Sequence, residues 1–313
     1  MNRFRKFPII KSIIKFLRSI YLWDTTVSLY HVLSILWKKI ITFDIDQRAA
    51  AVSFSLLLAI FPAIIFLFTL IPYIPIENLD EQIMEFLRGI LPRGIYKTAA
   101  NTIQDIISHR RVDVLSFGFL FALYAATNGM MALIRAFNIS LINDEKRNFW
   151  KGRFMALFLT FLLVFVMISA IVVLIVGKLF IAYLFDRGLL SEDFNYYMIQ
   201  TLGYVSIFII FFLGIASIYY FGLDKSVRLG FFNFGAVLAS VFCILATNGL
   251  SYYLVNFNSY NKLYGSIGTL IGLMVWIYLI AVILIFGFEI NSSLRDALAV
   301  ENEEELEKKS RSK

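Results

Sequence analysis

Residues 258–291, NSYNKLYGSIGTLIGLMVWIYLIAVILIFGFEIN, decide the class of fold. Between Lys262 and Glu289 run 26 residues without a charge. At ~1.5 Å rise per residue, a helix of that length crosses a ~30 Å hydrocarbon core. The stretch opens on a Tyr- and Asn-rich turn, carries glycines in its first half and ends on a carboxylate.

The remaining sequence has the same character. The chain of 313 residues is 59% hydrophobic, 17% aromatic and only 16% charged. Soluble domains carry roughly 25% charged residues, so one soluble core cannot absorb this apolar excess. Six charge-free apolar runs of membrane-spanning length are present: Ala49–Ile71, Val114–Ile134, Phe154–Val176, Tyr197–Leu223, Leu229–Val255 and Leu263–Phe288. The expected fold is all-α, a polytopic membrane protein with six transmembrane helices.

The net charge of +7 reports orientation here rather than nucleic-acid binding. The N-terminal segment, the even-numbered connections and the tail together hold 21 Lys and Arg, against 8 in the odd-numbered connections. Both termini are therefore expected on the cytoplasmic side. The expected domains are a basic segment over residues 1–48, a membrane domain over 49–291 with an outer loop at 72–113, and a charged tail over 292–313. Lys11, Lys15 and Arg18 interrupt what a signal peptide would need as a continuous apolar region, so the N-terminus is expected to be kept.

Two amphipathic regions flank the first span. Phe7, Ile10, Ile13, Leu17 and Ile20 form an apolar stripe beside Lys11, Lys15 and Arg18. It reads as an in-plane helix on anionic headgroups, as a basic flank that sets topology, or as a helix packed under the bundle. In the outer loop, Ile76, Leu79, Ile83, Phe86 and Ile90, then Ile95, Ala99, Ile103 and Ile106, recur at helical spacing around Pro92. Within the first span, Pro62 removes a backbone donor and frees the carbonyl of Leu58.

An internal echo points to a 3+3 inverted repeat. Ala126-Thr127-Asn128-Gly129 in the second span recurs as Ala246-Thr247-Asn248-Gly249 in the fifth, and Phe137-Asn138 recurs as Phe257-Asn258. Transporters built this way place their site at the repeat interface. Asn128 and Asn248 would then line a shared polar cavity, or else serve as interhelical glue. Arg135 and Glu289 end spans that reach the same face, with Arg48 at a similar depth. They form either a cytoplasm-facing site for an anionic headgroup or solute, or a salt bridge between helices. Gly265, Gly268 and Gly272 read as helix-packing positions.

Other chemistry finds no support. His31, His109 and the single Cys243 supply no metal-ligand spacing, and no phosphate-cradling glycine loop occurs. No cofactor, metal or nucleic-acid partner is expected.

With these residues in hand, the chain resembles the YihY/virulence factor BrkB family of bacterial inner-membrane proteins. The resemblance rests on Asp46-Gln-Arg48-Ala-Ala-Ala51 with Ser53-Phe54 and Phe61-Pro62, on Met130-Met-Ala-Leu-Ile-Arg135-Ala-Phe-Asn138, and on Trp150-Lys-Gly-Arg153. It continues through Ala239-Ser240-Val241, Asn256-Phe257-Asn258-Ser-Tyr260, Tyr264-Gly-Ser-Ile-Gly268, Trp276-Ile-Tyr278 and Gly287-Phe-Glu289-Ile-Asn291. Phe288 stands where the family pattern leads one to expect Ala, a departure that touches packing rather than charge. The resemblance implies six spans and an inner-membrane location. A ribonuclease label borne by some relatives is not expected to transfer, because metal nucleases need clustered His and Asp. Two roles remain: a transporter or lipid-handling permease for an anionic or amphipathic substrate, with membrane lipids as partners, and a non-transporting scaffold for envelope biogenesis.

Overall fold

The computed structural model describes residues 28–70, 112–140, 149–187, 192–222, 230–256 and 266–311, together with Ser19, Glu81 and Met84. The stripe at 7–20 and the loop helices expected at 76–106 lie outside these residues, apart from Ser19, Glu81 and Met84. The helices are α1 (Leu29–Thr42), α2 (Ile45–Leu70), α3 (Val112–Asn138), α4 (Phe149–Asp186), α5 (Glu192–Gly222), α6 (Phe234–Asn256) and α7 (Ser266–Arg311). Six of them, α2 to α7, are long and apolar enough to cross a membrane. The expected all-α, six-span fold is the one found.

The six spans close a ring. α2 packs on α3, α3 on α4, α4 on α5, α5 on α6, α6 on α7, and α7 returns to α2. α7 also touches α3 across the ring, and α1 lies along α7. Because the spans alternate in direction, the starts of α2, α4 and α6 share one end with the Glu289 region of α7.

The buried core is concentrated at that end. It comprises Ile45, Ala49 and Val52 of α2, Met130 to Phe137 of α3, Ala156 and Leu159 of α4, Phe212 to Tyr219 of α5, Ala236 to Cys243 of α6 and Ala281 to Phe288 of α7. Three aromatic rings sit at its centre. Phe137 stacks on Phe288 with centroids 4.5 Å apart, and Tyr219 meets both rings edge-on at 5.5 and 5.9 Å. Phe288 is fully buried and contributes to the core through this stacking. Tyr219 is fully buried, and its hydroxyl donates to the Leu284 carbonyl oxygen at 2.6 Å. A buried phenol needs such an acceptor, because an unpaired one would keep its full desolvation cost.

Two glycines allow this packing, and neither is among the three expected. A Cβ on Gly287 would lie 2.7 Å from Tyr219 Oη, 2.8 Å from Ala239 Cβ and 2.9 Å from the Gly235 carbonyl oxygen. A Cβ on Gly235 would collide with the Gly287 carbonyl oxygen and the Asn291 side chain. α6 and α7 therefore cross backbone to backbone. Of the expected packing positions, Gly272 is buried, whereas Gly265 and the surroundings of Gly268 lie outside what is described.

The first span begins earlier than its apolar run. Charge marks Ala49 as the boundary, yet α2 starts at Ile45 and takes in Asp46 and Arg48. Asp44 adopts a left-handed backbone, φ 39°, and its carbonyl accepts the Arg48 N–H at 3.2 Å. Asp tolerates this region better than most non-glycine residues. The turn carries the chain from α1 into α2. α1 buries Val32, Leu36 and Lys39, the first against Ala297 of α7, and exposes Leu33, Trp37 and Ile41.

The α6–α7 crossing yields a direct test. Gly235→Ala and Gly287→Ala should each lower thermal stability in detergent by an overpacking cost of about 1–3 kcal/mol or more. Gly249→Ala, where nothing lies within 4 Å, should leave the melting temperature unchanged or raise it slightly.

Candidate functional site

Arg48 and Glu289 meet in the buried core. Arg48 Nη2 lies 2.8 Å from Glu289 Oε1, with side-chain exposures of 5% and 0%. Arg48 Nη1 donates to the Ala136 carbonyl oxygen at 2.7 Å. That carbonyl stands in the last turn of α3, where helix carbonyls lack intrahelical donors. Near the helix end the Ser140 N–H turns instead to Phe137, and the Ile139 N–H to Arg135. The guanidinium thus caps the negative end of α3 while pairing with a carboxylate on α7. One side chain joins three helices.

The pair is not fully satisfied. Arg48 Nε, Glu289 Oε2 and Ser293 Oγ, one turn further along α7, are buried without hydrogen-bond partners among the described residues. Desolvation of such a pair is costly, so its presence is weak evidence for net stabilisation, but removing one partner strands a buried charge.

α7 continues the pattern with three more polar residues. Asn291 Oδ1 accepts the Gly235 N–H at 2.8 Å, and its Nδ2 donates to Asn233 Oδ1 at 2.6 Å. Asn233 caps α6, its Oδ1 accepting the Ala236 N–H at 2.8 Å. Buried Lys39 of α1 donates to Ser292 Oγ at 2.6 Å and pairs with Asp296 at 2.6 Å. Through Glu289, Asn291, Ser292 and Asp296, α7 holds the ends of α1, α2, α3 and α6.

Arg135 goes elsewhere. It lies on an exposed face of α3 and makes no hydrogen bond or ion pair among the described residues. With Asn128 it lines a groove of about 890 Å³ between α2, α3 and α4. The α2 wall is Phe54, Ser55, Leu58, Phe61 and Pro62; Phe121, Tyr124, Met131 and Ala132 belong to α3, and Trp150 and Arg153 to α4. Arg153 Nη1 donates to Asn128 Oδ1, and its guanidinium stacks 4.7 Å from the Tyr124 ring centroid. Leu58, whose carbonyl loses its helical donor to Pro62, is on the groove wall. Two guanidinium groups therefore line a largely apolar groove, Arg135 at its end and Arg153 further along against Asn128 and Tyr124, neither paired with a carboxylate among the described residues.

The expected site residues fall into three places. Arg48 and Glu289 form the buried pair, and Arg135 is not Glu289's partner. Asn128 and Arg135 share the groove with Arg153, whose role the sequence alone does not reveal. Its signal is the Trp150-Lys-Gly-Arg153 motif, which reads only as a family marker. Asn248 stands apart, on the exposed stripe of α6 that includes Val241, Leu245 and Tyr252. α3 and α6 are not neighbours in the ring. The contact in that copy of the echo belongs to Thr247, whose Oγ1 accepts the Trp276 indole N–H at 3.1 Å. Among the described residues, no three of His, Cys, Asp and Glu come together as metal ligands.

Comparison with known proteins matches residues 36–312 to the model of the family described as Virulence factor BrkB. The ribonuclease-like protein YfkH of Bacillus subtilis (strain 168), whose name carries that activity only as putative, is 28% identical over 262 residues, covering 80% of this chain and 90% of its own. A UPF0761 membrane protein of Actinobacillus pleuropneumoniae serotype 5b (strain L20) is 23% identical, with coverage of 80% and 88%. The UPF0761 membrane protein NTHI0384 of Haemophilus influenzae (strain 86-028NP) is 24% identical, with coverage of 82% and 93%. No solved structure matches.

The buried pair and the groove arginine should respond differently to truncation. Glu289→Ala strands the Arg48 charge and should cost about 3–5 kcal/mol, read as a fall in unfolding midpoint. Arg135→Ala should stay within about 0.5 kcal/mol of wild type in the same assay.

Proposed function

We propose, taking as premise that this chain belongs to the virulence factor BrkB family of integral membrane proteins, that it is a permease for an anionic, amphipathic substrate. The observation that carries this reading is the groove, largely apolar and lined by two arginines that lack carboxylate partners among the described residues. Its volume of about 890 Å³ lies within the range of sites that hold small organic molecules, roughly 300–1,000 Å³. The protein resides in the bacterial inner membrane with both termini in the cytoplasm, a reading supported by the excess of Lys and Arg on that side. The Arg135 end of the groove then faces the cytoplasmic headgroup region.

In this role Asn128 orients Arg153, Arg135 offers a second cation, and Arg48 with Glu289 holds the ring closed at the cytoplasmic end. Asn248, on the exposed side of α6, has no part in the path. Movement of substrate is a binding and conformational process, and nuclease chemistry has no place in it.

A second reading, a non-transporting scaffold, draws on a different observation. The core at the Glu289 end is packed, and α1 presents Leu33, Trp37 and Ile41 outward as a surface that could seat a partner.

Reconstitution separates the two. Liposomes containing the protein should show flux of at least one member of a panel of anionic solutes and lipids. That flux should fall about tenfold in Arg153→Gln, as expected for loss of a charge-assisted contact. No flux across the panel would favour the scaffold.

A further inference from the structure

The groove joins two guanidinium groups to a long apolar lining, and that combination matches one class of molecule. Its α3 wall runs from Arg135 through Ala132, Asn128, Ala125 and Tyr124 to Phe121. At ~1.5 Å per residue that face spans roughly 20 Å, somewhat more than one leaflet of a ~30 Å hydrocarbon core. Arg135 stands at one end, the Arg153 guanidinium lies further along the wall against Asn128 and Tyr124, and the exposed Trp150 with Phe54, Leu58, Phe61, Pro62 and Phe121 makes the lining otherwise largely apolar. A free inorganic anion would leave this apolar length unused, and a neutral lipid would leave two guanidinium groups without a counter-charge.

Resting on the permease reading, we infer that the groove holds one anionic glycerophospholipid of the cytoplasmic leaflet. Its phosphate sits between Arg135 and Arg153, and one acyl chain lies along the α2 wall. Arg153 is preorganised to receive the phosphate, because the Asn128 side-chain oxygen and the Tyr124 ring fix its guanidinium before ligand arrives. Planar guanidinium groups bind phosphate through paired hydrogen bonds, which lysine does not reproduce. Arg135, without a partner among the described residues, completes the second side. Trp150 lies at the rim, where indole rings favour the headgroup boundary.

Native mass spectrometry of the full-length protein in neutral detergent tests this. The probes are phosphatidylglycerol, phosphatidylcholine and inorganic phosphate. One phosphatidylglycerol should bind about tenfold more tightly than phosphatidylcholine, and millimolar inorganic phosphate should not displace it. Arg135→Gln, at an exposed position that leaves the fold intact, should abolish most of that preference. Leu58→Trp should weaken binding of both lipids by filling the chain path. Equal binding of the two lipids, displacement by inorganic phosphate, or full retention of the preference in Arg135→Gln would overturn the inference. The two claims fail separately: flux of anionic solutes without lipid selectivity sinks the lipid site alone, whereas selective binding without flux sinks the permease reading alone.

Discussion

A guanidinium inside an apolar helical bundle needs partners, and the way Arg48 finds them organises this protein. Its two terminal nitrogens go to different helices, one to the Glu289 carboxylate of α7 and one to the Ala136 carbonyl at the end of α3. Either contact alone would leave a buried charge or an uncapped helix end. Together they fix the relative position of three helices at one end of the ring. The stacked Phe137 and Phe288, neighbours in sequence of Ala136 and Glu289, pack in the position this creates.

The same constraint explains why α7 carries so many polar residues beyond its apolar run. Asn291 joins the Asn233 cap of α6, while Ser292 and Asp296 receive Lys39 of α1. With Gly287 and Gly235 allowing backbone contact, polar pairing and close packing act on the same two turns of helix. Satisfying Glu289 from α2 also has a consequence at a distance. It leaves Arg135, on the opposite flank of α3, available to the groove. Structural and ligand-facing charges are thereby separated onto different sides of one helix.

The six spans are legible in the sequence because a bilayer imposes a length and a lack of charge that few other environments require. Arg48 shows the limit of that rule. Charge counting starts the first span at Ala49, whereas pairing draws Arg48 inside, and pairing depends on a residue 241 positions away. For the same reason Arg135 and Arg48 are indistinguishable as partners for Glu289 when only depth is known; rotation about the helix axis decides, and sequence alone carries it weakly. The echo of Ala-Thr-Asn-Gly identifies two similar segments without revealing that Gly129 packs on Leu56 while Gly249 faces open space. Arg153 is visible as part of a motif, but its chemistry emerges only once α4 brings it against Asn128. α1 escapes notice because its buried face, Val32, Leu36 and Lys39, includes a lysine that reads as solvent-exposed until Asp296 is placed beside it.

Glu289 belongs to Arg48, which leaves Arg135 to the groove. A pair of double-mutant cycles on unfolding free energy, Arg48→Ala with Glu289→Ala and Arg135→Ala with Glu289→Ala, measures it most directly. Coupling should reach about 1–3 kcal/mol for the first pair and vanish, within about 0.5 kcal/mol, for the second. Strong coupling between Arg135 and Glu289, with none between Arg48 and Glu289, would contradict the account.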